Sequence, residues 1–452
     1  MKLALRGLIA STCLILALAV PLGASAKPTS VSSYDISKNL HPIGEYLNPN
    51  IGGVVNTDLA FWGDRAYQGT YNGFNIIDIS EPGDPVEIVD YNECAMDVNG
   101  APSTSGGQGD VVVWGDILVR SWNGATSTNP LNPRFCDGDQ LPPSFEGLNI
   151  FDISNPLDPD HIALVDLQCG SHTATGVPDL ANNRLLIYNG SSSGQCEFVD
   201  IIEIPLNNPA GARVINSVST VPEGEEDGHP CHDIGVVLGD AMRMGCAGGP
   251  GVSVFSMRAE DGGSLAAPEL MHHVEVPGVS IGHTAAWTWD GEVLIFGHEP
   301  GGGTSPRCQA TSSITDRTIW FFDEELNELG SLVLPRIQSA AENCTWHNLN
   351  VVPLRDKQGE NRYVYVSGNY QAGISVVDFS DPANAQQIAY ADPAPLVPEF
   401  DGGDWSTYWY NGFIYESDIT RGLLVWKLSD PAVAGALKLD HLNPQTNEFT
   451  ID

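Results

Sequence analysis

A unit of four short apolar runs, repeated along the chain, limits the possible folds more than any other feature. Its clearest copy covers residues 345–393, with runs at 349–352, 363–367, 373–382 and 387–391. Gly, Asn, Asp or Pro bounds each run, which is typical of β-strands. Four strands in about 45 residues is the length of one propeller blade, and such a unit needs neighbours to bury its faces.

Seven copies of this unit can be aligned. Five of them carry an obvious first hairpin with a Gly-Asp, Asp-Gly or Asn-Gly turn, at residues 58–64, 110–116, 235–240, 285–291 and 407–412. These dipeptides favour tight turns because they accept positive φ. The third copy turns at Asn182-Asn183 and the sixth at a longer loop, 355–361. The sequence therefore predicts an all-β, seven-bladed β-propeller of four-stranded antiparallel blades.

The third strands repeat a second pattern. It occurs at residues 74–80, 148–154, 374–380 and 423–429, and a proline follows each strand at Pro82, Pro156, Pro382 and Pro431. Proline ends a strand because it cannot donate to the ladder. These segments resemble the LVIVD repeat of exported bacterial propeller proteins. The resemblance implies an architecture rather than an activity.

The chain ends suggest export and ring closure. Residues 1–26 have Lys2, Arg6, an apolar stretch and a final Ala-Ser-Ala, the pattern of a secretory signal peptide. We expect residues 27–452 to form one propeller, secreted, periplasmic or at the cell surface. A strand at about 31–47 should complete the blade begun at Asp404, although the tail at 437–442 competes for that place.

The charge balance restricts the partners. The chain has 57 acidic and 20 basic residues, a net charge of -37. Such a surface repels nucleic acid and anionic lipid, so neither nucleic-acid binding nor membrane insertion is expected. The acidity suits a saline environment or, alternatively, specific contacts with cations.

Eight cysteines remain when Cys13, inside the signal peptide, is set aside. An even number in an exported chain favours disulfides, although spacing alone leaves the connectivity open. Sequential pairing would join loops around one mouth of the channel, as 94–136, 169–196, 231–246 and 308–344. In a competing interpretation, Cys231 or Cys344 is a metal ligand, because each lies near a histidine.

Aligning the first strands places one polar residue from each unit at the same position. The aligned residues are Asp58, Asp110, His172, His232, His283, His347 and Asp404. First strands line a propeller channel, so these side chains should gather at one mouth. The four histidines predict a site for a divalent transition metal, with the three aspartates nearby. In the alternative, the residues form a metal-free polar cluster that binds strand ends.

Other residues are expected near this ring. His229 lies three residues before His232, and His298 follows the second strand of the fifth unit. Asp233 and Glu299 are candidate general bases or partners of the imidazoles.

Two functions follow from this pattern. One is an exported propeller that binds a metal and a small molecule, glycan or protein ligand at the loop face, with or without catalysis. The other is a non-catalytic binding scaffold. The sequence contains no nucleotide-binding motif, so no nucleotide cofactor is expected.

Overall fold

Antiparallel β-strands make up most of the regular structure in the computed structural model. It describes residues 30–47, 55–100, 108–191 apart from 125, 127, 128 and 130, 196–225, 228–357, 359–396 and 402–451. The predicted signal peptide lies outside these ranges. The helices in them are 3-10 turns at Leu180–Asn182, Pro209–Gly211, Ala259–Asp261, Thr315–Arg317, Pro382–Asn384 and Pro431–Val433. None of these helices is long and apolar enough to cross a membrane.

The strands form consecutive groups, here called units 1 to 7. The chain begins with β1 (Asp35–Ile36) and β2 (Leu40–Leu47). Unit 1 contains β3 (Asn56–Trp62), β4 (Arg65–Thr70), β5 (Gly73–Asp78) and β6 (Val86–Tyr91), and β7 (Cys94–Met96) follows it. Unit 2 contains β8 (Val111–Trp114), β9 (Ile117–Trp122), the short β10 (Phe135–Cys136) and β11 (Asp139–Gln140), β12 (Gly147–Asp152) and β13 (Asp160–Asp166).

The next three units have four strands each. Unit 3 contains β14 (Thr173–Asp179), β15 (Arg184–Gly190), β16 (Phe198–Pro205) and β17 (Arg213–Ser219). Unit 4 contains β18 (Asp233–Val237), β19 (Arg243–Gly248), β20 (Gly251–Ser256) and β21 (Glu269–Glu275). Unit 5 contains β22 (Gly282–Trp287), β23 (Leu294–His298), β24 (Thr318–Phe322) and β25 (Glu328–Val333).

The last units and the C-terminal strands complete the order. Unit 6 contains β26 (Leu349–Val351), β27 (Val364–Gly368), β28 (Ile374–Asp378) and β29 (Gln386–Asp392). Unit 7 contains β30 (Asp404–Tyr410), β31 (Phe413–Asp418) and β32 (Gly422–Leu428), and β33 (His441–Leu442) and β34 (Thr446–Asn447) follow. Within each unit the main strands pair in sequence order, while β7, β10 and β11 form a separate three-stranded sheet.

Contacts between the units run around a ring. The first strands touch in cyclic order, β3, β8, β14, β18, β22, β26, β30 and back to β3. A separate layer of buried apolar side chains fills each interface between consecutive units, including the one between units 7 and 1. Because a sheet of this kind has two apolar faces, both of its neighbours are needed to remove them from water.

The N-terminal segment divides between two units. β2 pairs antiparallel with β32 and supplies the fourth strand of unit 7. β1 instead pairs with β29 at the edge of unit 6, so residues 31–47 do not act as one strand. The chain crosses between the two sheets at Asn39, whose side chain donates to Ile388 O while its carbonyl accepts from Ser429 N–H.

The C-terminal tail covers the far ends of several first strands. β33 pairs antiparallel with the end of β3, and β34 pairs parallel with the end of β18. Between them, the Asn443 amide exchanges hydrogen bonds with the backbone of Val113. The Asn447 side chain donates to Trp287 O. The tail therefore lies across the hairpin-turn end of the ring, and the opposite end carries the histidines.

Candidate metal centre

Four histidines lie side by side at the starts of the first strands of units 3 to 6. The ring centroids of His172 and His232, of His232 and His283, and of His283 and His347 are each 4.3 Å apart. These residues are here called the histidine arc. No unit contributes more than one ring, so the arrangement depends on the packing of four sheets.

Threonine side chains set how the first strands of neighbouring units are aligned with each other along their length. Thr173, which follows His172, donates its hydroxyl proton to His232 O at 2.6 Å. Thr284, which follows His283, donates to His347 O at 3.0 Å. These bonds join the starts of adjacent first strands and bring consecutive histidines to the same level.

Burial keeps the four imidazoles neutral. His232, His283 and His347 are 7%, 3% and 2% exposed, and His172 is half-buried. Removal from water lowers the pKa of His172 to about 4 and the pKa of His347 to about 3. Burial, followed by the neighbouring imidazoles, also lowers the pKa of His232 and His283 well below the usual value. Neutral imidazole is the form that binds metal.

Hydrogen bonds select the tautomers of two rings. His347 Nδ1 lies 2.5 Å from the carbonyl of Trp405, so this nitrogen carries the proton. His283 Nδ1 lies 2.9 Å from Thr284 Oγ1, and this hydroxyl already donates to His347 O. His283 Nδ1 is therefore also a donor. Both residues keep a lone pair on Nε2, as metal-binding histidines do.

The other two histidines differ from each other. Among the described residues, His232 Nδ1 is buried with no hydrogen-bond partner. His172 Nδ1 accepts from the Asn123 amide at 3.0 Å, which leaves the proton of neutral His172 on Nε2. His172 can therefore bind a metal through Nε2 only if the Asn123 side-chain amide flips, so that its oxygen accepts a hydrogen bond from His172 Nδ1–H.

Glu299 adds a carboxylate to the histidine arc. Its Oε1 lies 3.6 Å from His347 Nε2 and 3.9 Å from His283 Nε2. Ligand atoms of His232, His283 and Glu299 lie within 4.8 Å of one another. Two ligand atoms of one tetrahedral zinc ion are about 3.3 Å apart, so small side-chain movements suffice to close this set around an ion. Burial raises the pKa of Glu299 to about 7, against the lowering effect of a hydrogen bond from Tyr370.

Tyr370 connects Glu299 to the histidines. Its hydroxyl donates to Glu299 Oε1 at 2.7 Å and lies 3.0 Å from His347 Nε2. Tyr370 is not among the residues predicted from the first strands, although the sequence contains a signal for it. Glu299 comes two residues after Gly297, near the end of β23, and Tyr370 comes two residues after Gly368, the last residue of β27. Aligning the second strands would have placed both at the same mouth.

The three aspartates of the aligned ring do not join the histidines, because their register is shifted. In unit 5, His283 is the unpaired residue between Gly282 and Thr284. In unit 7, the unpaired residue is Trp405, one position after Asp404. The Trp405 ring accordingly contacts His347, at a centroid distance of 5.4 Å. The arc continues into unit 7 through Trp405.

The same threonine bonds reveal the shift in units 1 and 2. Thr57 donates to Gly109 O at 2.6 Å, as Thr173 and Thr284 donate to histidine carbonyls. Gly109 therefore occupies the histidine position of unit 2, and Asp110 follows it. Asp58 likewise follows Thr57. Both aspartates lie further along the channel than the alignment predicted.

Asp58, Asp110 and Asp233 interact with one another instead. Burial raises the pKa of Asp58 to about 6 and the pKa of Asp233 to about 7. Burial, with Asp58 and Asp233, raises the pKa of Asp110 well above its usual value. Asp58 accepts from the Tyr408 hydroxyl at 2.5 Å and from Gln445 of the tail at 3.1 Å. Asp233, expected to be a partner of the imidazoles, thus faces other acids.

The remaining candidates contact other groups. Asp404 lies with Glu416 and Asp418 inside unit 7, with ligand atoms within 4.8 Å. His298 Nε2 accepts from the Ser280 N–H at 3.3 Å. His229 stacks on His273, with ring centroids 4.8 Å apart.

The predicted disulfides are confirmed. The pairs are Cys94–Cys136, Cys169–Cys196, Cys231–Cys246 and Cys308–Cys344. This pairing excludes Cys231 and Cys344 as metal ligands. Cys169, Cys231 and Cys344 precede arc histidines by one to three residues, so three of the bridges anchor the segments that carry the rings.

Comparison with solved structures shows the fold class of this chain. The periplasmic gluconolactonase PpgL of Pseudomonas aeruginosa aligns with 10% identity over 88% of this chain and 98% of its own, with a TM-score of 0.51. The hydrazine synthase of Kuenenia stuttgartiensis aligns with 11% identity over 84% and 97%, with a TM-score of 0.49. The fold is of the β-propeller type. At these identities the likeness concerns the fold alone.

Within that class, residues 56–93 match the LVIVD repeat. This match confirms the resemblance seen in the third-strand pattern of unit 1. No curated protein sequence matches the chain.

Proposed function

We propose that this chain is an exported seven-bladed propeller that binds a divalent transition metal ion at one channel mouth, through His232, His283, His347 and Glu299. The cyclic contacts of seven first strands and the seven apolar layers support the blade number. On this proposal, the small sheet of β7, β10 and β11 is an addition to the loop face.

The observation that carries the proposal is the convergence of buried lone pairs. Nε2 of His283 and Nε2 of His347 lie 3.9 and 3.6 Å from the same oxygen, Glu299 Oε1. Burying polar atoms without a partner costs about 1–3 kcal/mol each. A cation accepts all of these lone pairs at once, whereas the single Tyr370 hydroxyl proton satisfies only one acceptor.

The ligand set indicates the class of metal. Imidazole suits zinc, copper, iron and nickel, whereas calcium and magnesium prefer all-oxygen sites. When bound, such an ion supplies a Lewis acid for an oxygen or nitrogen atom of a small ligand. The protein's own contribution is orientation: Tyr370 holds Glu299, Thr284 holds His283, and the Trp405 carbonyl holds His347.

His172 and Asn123 lie at the accessible end of the arc. His172 is half-buried, unlike the other three histidines. If the Asn123 bond persists, its Nε2–H, for which the described part of the chain shows no acceptor, can donate to a ligand. We expect a small molecule, glycan or protein ligand here. The net charge of -37 disfavours nucleic acid.

Export is part of the proposal. Four disulfides are typical of proteins in an oxidising compartment, and we propose the periplasm, the cell surface or the medium for this chain. N-terminal sequencing of the exported protein should begin at Lys27. A mature chain that retains residues 1–26 would contradict the signal-peptide assignment.

A metal-free binding scaffold is the second candidate. The hydrogen bond from Asn123 to His172 Nδ1 favours it, because it gives one member of the arc a partner without an ion. In this case Glu299 holds a proton and donates it to an imidazole Nε2.

Elemental analysis separates the two candidates. The mature protein, purified without added metal and without chelator, should contain about one transition metal ion per chain at this site. His283→Ala/His347→Ala should lose one equivalent and keep its four disulfides and its β-rich circular dichroism spectrum. His272→Ala, which alters an exposed histidine outside the arc, is the matched control and should keep it. Equal metal content in the double variant and the wild type would support the scaffold.

A further inference from the structure

A second group of metal-binding side chains lies on unit 4, apart from the histidine arc. His229 belongs to the loop before β18, and His273 and Glu275 belong to β21. Residues two apart on a strand share a face, so His273 and Glu275 point the same way. The loop of His229 passes over this face. Ligand atoms of the three residues lie within 4.8 Å of one another.

The distances suit one shared ion. The rings of His229 and His273 stack with centroids 4.8 Å apart. His229 Nε2 lies 3.5 Å from Glu275 Oε1. This separation is close to the roughly 3.3 Å between two ligands of a tetrahedral zinc ion.

One ring nitrogen in the group has no partner. His273 Nδ1 is hydrogen-bonded to Ser253 Oγ at 2.8 Å, which fixes the ring orientation. Its Nε2 is buried, and among the described residues it makes no hydrogen bond. A hydrogen bond on one nitrogen with a vacant second nitrogen is the arrangement of a metal-binding histidine.

The loop that carries His229 is held in place. Cys231, two residues after His229, forms a disulfide with Cys246. On the other side, the ring packs against the backbone at Gly249, where a Cβ atom would lie 3.0 Å from His229 Nδ1. The position of His229 is therefore set by the fold, and little ordering remains to be done when an ion binds.

We propose that His229, His273 and Glu275 form a second, surface site for a zinc-class divalent ion. Two imidazoles and one carboxylate favour zinc over calcium or magnesium. His229 and His273 are partly exposed and Glu275 is exposed, so the remaining coordination position faces solvent and is open to water or an external ligand. This site goes beyond the function proposed for the arc and does not depend on it.

Equilibrium dialysis of the full mature chain against micromolar Zn²⁺, followed by elemental analysis, tests the proposal. His229→Ala/His273→Ala should bind one equivalent fewer than the wild type. His272→Ala removes the exposed neighbour on the same strand and should bind as the wild type does. An equal zinc count in the double variant and the wild type would overturn the proposal, whatever the arc binds.

A second variant covers the case in which the histidine replacements disturb folding. Glu275→Gln changes one exposed side chain and keeps both imidazoles. We expect its zinc affinity at this site to fall at least about tenfold, in the range seen for lost metal-site partners. The titration is performed in the His283→Ala/His347→Ala background, and again in the wild type. Unchanged affinity in both backgrounds would refute the site.

Discussion

The histidine arc and the two acidic groups differ in how their buried polar atoms find partners. One acidic group contains Asp58, Asp110 and Asp233, and the other contains Asp404, Glu416 and Asp418. In the arc, Nε2 lone pairs and the Glu299 carboxylate face one another with one hydroxyl between them. In the acidic groups, protein donors reach two of the carboxylates: Tyr408 and Gln445 donate to Asp58, and Trp426 donates to Glu416 at 2.6 Å. A buried acid with donors needs no ion. The arc has more acceptors than donors, because the single Tyr370 hydroxyl proton serves only one of them, so a cation would stabilise it.

The two regions also respond oppositely to pH in the metal-free protein. Burial raises the pKa of Asp58 to about 6, so its contribution to stability is present at low pH and is lost as the pH rises from about 4 to 6. Burial lowers the pKa of His347 to about 3, so its contribution is present above about 6.5 and is lost as the pH falls.

The largest expected effect concerns the bridges that hold the arc. Cys308→Ala/Cys344→Ala opens a link of 36 residues beside His347. The loop-entropy estimate gives a loss of about 4 kcal/mol in the free energy of unfolding. Because the start of β26 then loosens, metal affinity should fall as well. Denaturant unfolding and metal titration measure the two effects.

Cys94→Ala/Cys136→Ala is the control on the other side of the ring. It opens a link of 42 residues, so the stability loss should be similar, also about 4 kcal/mol. Metal affinity should not change, because this bridge joins segments on either side of the first two strands of unit 2, which contributes no histidine to the arc. Equal loss of affinity in both variants would mean that the bridges act only through overall stability.

The next largest effect concerns the pH dependence of stability in the acidic group of Asp58. Asp58→Asn removes a carboxylate whose pKa is raised from 3.8 to about 6. The difference in unfolding free energy between variant and wild type should therefore shift in favour of the variant by up to about 3 kcal/mol between pH 4 and pH 7.5. Chelator-treated protein is used, with urea unfolding at each pH. A constant difference across this range would show that Asp58 does not titrate as described.

The smallest effect compares two tyrosines that each donate to a buried carboxylate. Tyr370→Phe removes the donor to Glu299, and we expect metal affinity to fall about tenfold. Tyr408→Phe removes the donor to Asp58 and should leave metal affinity unchanged. Competition with a chromogenic chelator gives both constants. If Tyr408→Phe has the larger effect, the acidic groups rather than the arc hold the ion.

Much of the fold could be predicted because the repeat carries local signals. Turn residues and the prolines after the third strands mark strand ends, as Pro82 does after β5. The disulfides followed from the same repeat, since a first-strand start and a second-strand end lie at the same edge of a unit. Cys231 and Cys246 are such a pair.

The site could be predicted less well, because side-chain direction depends on single-residue register. Shifting a strand by one residue turns its side chains to the other face. The ladder of unit 7 slips at Trp405, and Asp404 consequently joins Glu416 and Asp418. Sequence spacing cannot reveal such a bulge. Tyr370 is not predicted for another reason: it follows a second strand, β27, whereas the ring of polar residues is defined by the first strands.

An anomalous-scattering map of crystals of the mature protein tests the central claim most directly. Data collected on both sides of the absorption edges of zinc, copper, nickel and iron identify the metal as well as its position. We predict a peak about 2.0–2.3 Å from Nε2 of His283 and His347, shared with His232 or Glu299. A map with no peak at this mouth, and with Glu299 hydrogen-bonded directly to an imidazole, would contradict the account.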